Sequence, residues 1–303
     1  MSRALLLPLP GNDDLADALA KRIDAEIGKL TLRRFPDRES YVRIESPVEG
    51  RTVLLCCTLD RPDDKIMPLL FLAEAARELG AEKVGLIAPY LAYMRHDHRF
   101  RPGEGITSFY FAKLLSSVID GLVTVDPHLH RHASLDEIYS IPSRVVRAAP
   151  AISDWIRTHL PHPLLIGPDR ESEQWVAAAA EGTGAPYLIL EKIRRGDREV
   201  EISLPAADRW RDRTPVLIDD IISSAGTMIE AVVQLKRAGL PPPVCIGVHA
   251  VFADQAYADL LASGAVQVAT CNTISHPSNQ IDINDLLADG VRSLLTSADF
   301  SGE

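Results

Sequence analysis

The run Val216-Leu217-Ile218-Asp219-Asp220-Ile221-Ile222-Ser223-Ser224-Ala225-Gly226-Thr227-Met228 sets two adjacent carboxylates ahead of a short loop of small and hydroxyl residues. Backbone N–H groups turned inward by such a loop, just before a helix N-terminus, favour a phosphate. They add donors to the positive end of the helix dipole. Carboxylates beside the same cradle would repel the phosphate itself. They suit neighbouring hydroxyls, or a metal ion. A phosphorylated sugar satisfies both halves. Each half alone has a plainer reading, because two aspartates after a strand can be a turn and Ser-Ala-Gly-Thr a simple helix cap.

Chemistry of this kind needs a strand to carry the carboxylates and a helix to follow the loop. The apolar run 215–218 predicts the strand, and the pattern over 227–238 predicts the helix. The same alternation runs along the chain. Strands are expected at 41–45, 52–59, 83–89, 121–126, 163–166, 187–190, 244–251 and 266–271, and helices at 14–27, 65–79, 108–118 and 172–181. Short apolar runs between amphipathic stretches imply mainly parallel sheets flanked by helices, an α/β fold. Ligands of open α/β sheets bind at the carboxyl ends of the strands, where Asp219 and Asp220 fall. Two such series predict two domains, 1–146 and 147–295, with a hinge at 147–150 and a frayed tail, 296–303.

Composition narrows the class. The chain has 303 residues, 46% of them apolar, so it can bury real cores. A net charge of −10 with no long basic run argues against nucleic acid or an anionic membrane as the main partner. No apolar run approaches the roughly 18 residues of a membrane span, and the N-terminus does not read as a signal peptide. The cysteines, Cys56, Cys57, Cys245 and Cys271, lack metal-ligand spacing. They read as buried thiols of a cytoplasmic protein.

Three clusters in the N-terminal half add to the picture. Arg34-Phe35-Pro36-Asp37-Arg38-Glu39 precedes a strand. Tyr90 to Arg101, with Arg95-His96-Asp97 at its centre, follows a strand end, as does Asp126-Pro127-His128-Leu129-His130. Arg past a strand end offers a fixed donor fork for phosphates, and neutral His is a ready metal ligand.

In this order the motifs resemble the ribose-phosphate diphosphokinase (PRPP synthetase) family, over residues 5–291 and most closely its archaeal-type branch. The 216–228 motif is that of the type I phosphoribosyltransferase fold, so two phosphoribosyltransferase-like domains are implied. The resemblance implies that Asp219, Asp220, Ser223, Ser224, Ala225, Gly226 and Thr227 bind ribose 5-phosphate. The acidic pair would take the ribose hydroxyls and the loop the 5-phosphate. ATP would meet Phe35, Asp37, Glu39, Arg95, His96 and Asp97, the first three reaching a neighbouring subunit's adenine in a homo-oligomer. Mg²⁺ would be held by His128 and Asp169, and a mobile loop would bring Lys192 and Arg194 to the reaction as catalytic residues. Five positions depart from the family pattern. Arg38 stands where glycine is usual, His96 for Gln and Ser223 for Asp, and 170–173 lacks both glycines expected after Asp169. The archaeal-type branch also carries Ser in the phosphate loop.

The implied reaction is transfer of the β,γ-diphosphoryl group of ATP to the C1 hydroxyl of ribose 5-phosphate, giving PRPP and AMP. Two alternatives stand beside it. A phosphoribosyltransferase consuming PRPP would share the 216–228 motif but would not need the N-terminal set. A non-catalytic or regulatory homologue would account for the departures.

Overall fold

The computed structural model describes residues 3–195, 199–203 and 207–301; the side chains of 191–208 lie outside that description. The chain divides into two units. One holds the residues up to Arg147 together with those from Asn284 on, and the other spans Ala148–Ile283.

The first unit runs β1 (Leu5–Pro8), α1 (Asp13–Ile23), β2 (Glu26–Ile27), β3 (Leu30–Arg34), β4 (Ser40–Ile44), β5 (Thr52–Cys56), α2 (Pro62–Glu78), β6 (Lys83–Ala88), α3 (Thr107–Ser116), β7 (Gly121–Val125) and β8 (Ser143–Val146). Its sheet has the order β2-β1-β5-β6-β7-β8, all parallel, while β3 and β4 form a separate antiparallel hairpin. β7 is buried at every position, and β5 and β6 at all but their first. Strands covered on both faces lose the in–out alternation and read as continuous apolar runs, as these do.

The second unit runs α4 (Ala149–His159), β9 (Pro163–Gly167), α5 (Glu173–Thr183), β10 (Tyr187–Ile189), β11 (Glu191–Arg195), β12 (Glu199–Ser203), β13 (Thr214–Ile222), α6 (Gly226–Arg237), β14 (Val244–Ala250), α7 (Ala256–Ala262), β15 (Gln267–Cys271) and β16 (Asn279–Ile281). Its parallel sheet is ordered β10-β9-β13-β14-β15-β16, and β11 and β12 again form a separate hairpin. The two units therefore share one wiring. The first strand of each sheet has the second on one side and the third on the other, and an antiparallel hairpin is inserted between the second strand and the third.

Two expectations need correction at the C-terminus. The helix α8 (Asn284–Leu295), read as part of the second domain, belongs to the first unit. Arg292 Nη1 donates to Arg22 O at 2.7 Å, Arg144 Nε donates to Ser293 Oγ at 3.1 Å, and Arg22 pairs with Asp285. The expected frayed tail contains α9 (Ala298–Ser301), and its Phe300 is 2% exposed. The ring lies against Gly121 and Gly85, where an added Cβ at Gly121 would meet it at 2.6 Å. The expected hinge also differs, because Ala149 and Pro150 already form the start of α4. The helix expected over 14–27 stops at Ile23, since Asp24 turns left-handed (φ +52°) and the chain enters β2. All four cysteines are buried free thiols, and no helix among the described residues is long and apolar enough to cross a membrane.

The packing of Phe300 gives a direct test. Removing a buried aromatic ring leaves a cavity as well as losing transfer energy, about 3–5 kcal/mol for Phe→Ala. Phe300→Ala should lower the urea midpoint of the first unit by a corresponding amount. An unchanged midpoint would return this segment to the status of a tail.

Candidate active site

The sheet of the second unit positions the acidic pair. β13 pairs with β9 only as far as Leu217 opposite Ile166, yet it runs on beside β14 to Ile222. The sequence reading ended this strand before the carboxylates; the ladder with β14 carries it past them. Asp219 and Asp220 therefore sit on an overhang that β9 has already left. This is the switch point of the sheet, where neighbouring connections diverge and ligands enter. Asp220 is buried and Asp219 partly so. Asp220 N–H donates to Asp219 Oδ1 at 2.9 Å, which fixes the first carboxylate. Burial, then the charges of Asp220 and Asp169, hold the Asp219 carboxyl well above the usual range. Three carboxylates thus converge on one strand edge, and a divalent cation or a set of hydroxyl donors would relieve their repulsion.

The loop beyond the overhang is shaped for an anion. Ala225 adopts a left-handed conformation (φ +59°) with its Cβ buried, directly ahead of α6. Such a conformation costs a non-glycine residue about 1–2 kcal/mol. It turns the chain into the helix with no side-chain cap on the N-terminus. The first N–H groups of any helix lack intrahelical partners, so an uncapped start offers them to a ligand. A Cβ added at Gly226 would meet nothing closer than Ser224 Oγ at 3.7 Å. The space over the helix start is open. Ser223 O accepts from Ala253 N–H at 3.1 Å, fastening the loop to the segment after β14. Ser224 is exposed and Thr227 partly buried.

Asp169, just past β9, does two things. It raises the pKa of Asp219, and it caps its own turn. Its Oδ1 accepts from Glu171 N–H at 3.0 Å and Ser172 N–H at 3.2 Å, while Ser172 Oγ donates to Asp169 O at 2.6 Å. The residues Arg170–Ser172 form a single tight helical turn. Gly167 makes room for this turn, since a Cβ there would strike Ser172 Oγ at 2.5 Å.

In the first unit the expected ATP-side residues divide into two groups. Phe35, Asp37 and Glu39 are exposed at the tip of the β3–β4 hairpin. The tip is closed by Phe35 N–H to Glu39 O and Arg38 N–H to Phe35 O, both 2.8 Å, and by Glu39 N–H to Asp37 Oδ1 at 3.1 Å. The Arg33 guanidinium lies 4.4 Å from the Phe35 ring centre and 4.3 Å from that of Tyr41, two cation–π contacts to rings set edge-to-face that stiffen the hairpin. The second group follows β6. Arg95 and His96 are exposed, but Asp97 is turned inward. Its carboxylate accepts from His98 Nδ1 at 2.7 Å and from Arg131 Nη1 at 3.2 Å. Burial alone would raise its pKa; the bonds from His98 and Arg131 outweigh burial and lower it. Asp97 thus ties the loop after β6 to the loop after β7, where His128 and His130 lie. Arg131 and His98 were not singled out in the sequence. Their signal was available, since both are donors next to residues already chosen past strand ends.

Lys192 and Arg194 occupy alternate positions of β11, opposite Ile202 and Val200 of β12. Their side chains, and Gly196 and Asp197, lie outside the described residues.

Comparison with known proteins places these features. Residues 4–118 match the N-terminal domain of ribose phosphate pyrophosphokinase, and residues 134–285 match the phosphoribosyl transferase domain. A ribose-phosphate pyrophosphokinase of Methanopyrus kandleri is 33% identical over 92% of this chain and 96% of its own length. The chain belongs to the ribose-phosphate pyrophosphokinase family. A relative of the same description from Methanothermobacter thermautotrophicus is 29% identical, covering 94% of this chain and 99% of its own. The crystal structure of phosphoribosylpyrophosphate synthetase from Mycobacterium smegmatis superposes with a TM-score of 0.83 at 25% identity, covering all of both chains. Arg38 has a φ of +74°, a conformation glycine adopts most readily, in keeping with the glycine that the resemblance implies at this position.

The raised pKa of Asp219 predicts a pH signature of the ligand-free protein. A carboxyl whose folded pKa exceeds its unfolded value contributes stability that is complete below the unfolded pKa and lost as pH rises through the folded one. Asp97, whose pKa is lowered, acts in the opposite sense at more acidic pH. Without metal, the thermal midpoint should therefore fall as pH rises above the ordinary carboxylate range. Asp219→Asn should remove that fall and raise the midpoint at neutral pH. A slope that survives the substitution would separate Asp219 from the effect.

Proposed function

We propose that this chain is an ATP-dependent ribose-phosphate diphosphokinase, producing PRPP and AMP from ATP and ribose 5-phosphate. The observation that carries this reading is the uncapped start of α6 beside the Asp219–Asp220 overhang. One half accepts a phosphate and the other accepts hydroxyls, in a chain of this family. Ser223, Ser224, Ala225, Gly226 and Thr227 hold the 5-phosphate, and Asp219 and Asp220 receive the ribose hydroxyls. The C1 hydroxyl then attacks the β-phosphorus in line as the bond to the α-phosphate oxygen breaks. Such transfers depend on positioning and charge neutralisation more than on covalent help. Lys192 and Arg194 supply charge where it develops on the transferred group.

The donor chemistry also fits Mg²⁺. The ion takes few protein ligands and keeps several waters, and the crowded carboxylates around Asp219 call for a cation. Asp169 keeps an oxygen beyond the one that caps its turn, and His128 offers an imidazole. When bound, Mg²⁺ neutralises phosphate oxygens and polarises the reacting phosphorus. Arg95 and His96 bind the ATP phosphates, and Asp97 holds their loop in place. Phe35, with Asp37 and Glu39, presents an aromatic face and acceptors to the adenine of a neighbouring subunit, so the active form is a homo-oligomer. Four buried free thiols suit the reducing cytoplasm. A second reading, a non-catalytic homologue that regulates an active synthetase, rests on the turn that Asp169 caps for itself.

Phosphorus NMR of purified protein with ATP, Mg²⁺ and ribose 5-phosphate decides between them. AMP and PRPP should accumulate in equal amounts. ADP as product would make the reaction simple phosphoryl transfer, and no turnover would leave the regulatory reading.

The shared site has its own test. A Phe35→Ala/Glu39→Ala protein should show a strongly raised KM for ATP and little activity at ordinary ATP, and a Lys192→Ala protein a turnover lower by roughly 10²–10³. Mixed under conditions of demonstrated subunit exchange, they should regain part of the activity, because some interfaces then hold two intact halves. No recovery would place the hairpin tip outside a neighbour's site.

A further inference from the structure

The loop that leaves β7 carries two histidines two residues apart, and they converge. Residues two apart on extended backbone project to the same side, and Asp126-Pro127-His128-Leu129 has no helical turn to separate them. The ring centres of His128 and His130 lie 4.0 Å apart with planes crossed at 76°, and both residues are partly buried. Asp126, where the backbone turns left-handed (φ +33°), is 1% exposed, and its Oδ1 accepts from Arg147 Nη1 at 3.2 Å. That carboxylate already has a cation. The donors this loop offers an ion are therefore nitrogens.

The spacing suits a chelate. With metal–nitrogen bonds of about 2.0–2.1 Å, ring centres stand roughly 3.1 Å from the ion, so two imidazoles at about 80–90° have centres about 4.0–4.5 Å apart. The observed separation falls at the near end of that range. The opposing explanation is an edge-to-face ring contact with no ion, one that an aromatic hydrocarbon could replace.

We propose that His130 is a second imidazole ligand beside His128, and that the pair makes this ion site favour a borderline divalent transition ion such as Mn²⁺ or Co²⁺ over Mg²⁺. The proposal rests on the reading of His128 as a metal ligand. Mg²⁺ prefers oxygen and gives up its waters reluctantly, so a second nitrogen adds little for it. Affinity at nitrogen sites rises from Mn²⁺ through Co²⁺ and Ni²⁺, and imidazole suits the later ions. One imidazole is compatible with a water-rich Mg²⁺ site; two shift the balance toward softer ions.

The test uses the full-length protein with metal alone. Mn²⁺ is titrated by electron paramagnetic resonance, Co²⁺ by visible absorption and Mg²⁺ by competition, and pulsed resonance counts the nitrogens coupled to Mn²⁺. The wild type should show two imidazole nitrogens, and His128→Asn and His130→Asn one each. Both substitutions should weaken Mn²⁺ and Co²⁺ by about tenfold or more, since even outer-shell changes cost 10–100-fold. Mg²⁺ affinity should move much less in His130→Asn, so its Co²⁺/Mg²⁺ preference collapses. His130→Phe, which preserves a ring contact, should behave like His130→Asn. One coupled nitrogen in the wild type, or an unchanged preference in both His130 variants, overturns the proposal. If the variants fail to fold, the wild-type nitrogen count decides alone. None of these measurements needs turnover. Two nitrogens without PRPP formation would sink the diphosphokinase reading and leave this site standing; PRPP formation with one nitrogen would do the reverse.

Discussion

The second unit is organised around a repulsion. Asp169, Asp219 and Asp220 meet on one edge of a sheet because β13 outruns β9, and burial sharpens the conflict by taking water away. Such a cluster persists only on a frame that is stable without it. Leu164, Ile166, Leu217 and Ile222 are buried in the core under that edge, with Met228 and Val232 of α6 among them. The adjoining loop adds a second local penalty at Ala225. Protonation of Asp219, or a ligand that brings cations or hydroxyl donors, would relieve the first; the second is backbone strain that the surrounding fold carries. Stability is withheld at the site and supplied by the sheet, the usual division in binding sites with pre-arranged charge.

The first unit shows the same wiring with the chemistry removed from the corresponding place. At its switch point, Asn12 stands between the first and third strands of the sheet. Its Nδ2 donates to Leu9 O at 3.1 Å and Pro10 O at 3.3 Å, and its Oδ1 accepts from Thr58 N–H at 2.8 Å. A neutral amide thus bridges the two strand ends that in the second unit carry Asp169 and the Asp219–Asp220 pair. The candidate groups of the first unit lie instead beyond β6 and β7, where Asp97, His98 and Arg131 lock two loops together. A shared fold therefore fixes where a site can be built, and short polar segments decide which strand ends are used.

The legible parts of the sequence were those written locally. Asp219 to Thr227 marked the candidate site because strand, carboxylates, loop and helix are contiguous. The buried parallel strands showed as apolar runs. What escaped depends on partners far away in the chain. Nothing near Phe300 says that Gly121 and Gly85 have left space for its ring. Nothing in 284–295 says that this helix turns back to Arg22 and Arg144 rather than joining the unit just completed. The length of β13 was hidden for the same reason, since Asp219 and Asp220 look like strand terminators until β14 is alongside. Asp97 stands in a motif that implies a ligand contact, and its burial with Arg131 could be seen only once the loops after β6 and β7 were side by side.

The departures from glycine at Arg38 and at 170–173 show how the same kind of change can have opposite consequences. At Arg38 the chain keeps the left-handed turn and accepts the strain at an exposed tip. The closing bonds of the hairpin survive, and the positions of Phe35 and Glu39 survive with them. At 170–173 the two glycines that the family resemblance implies are absent. No residue there has a positive φ, and the turn tightens around the Asp169 carboxylate, which takes the N–H groups of Glu171 and Ser172 for itself. A glycine turn with open N–H groups can approach and hold an anion; a self-capped turn cannot offer the same donors without first breaking its cap. The first substitution leaves the shape of the site intact. The second leaves the N–H groups of Glu171 and Ser172 engaged by the Asp169 carboxylate.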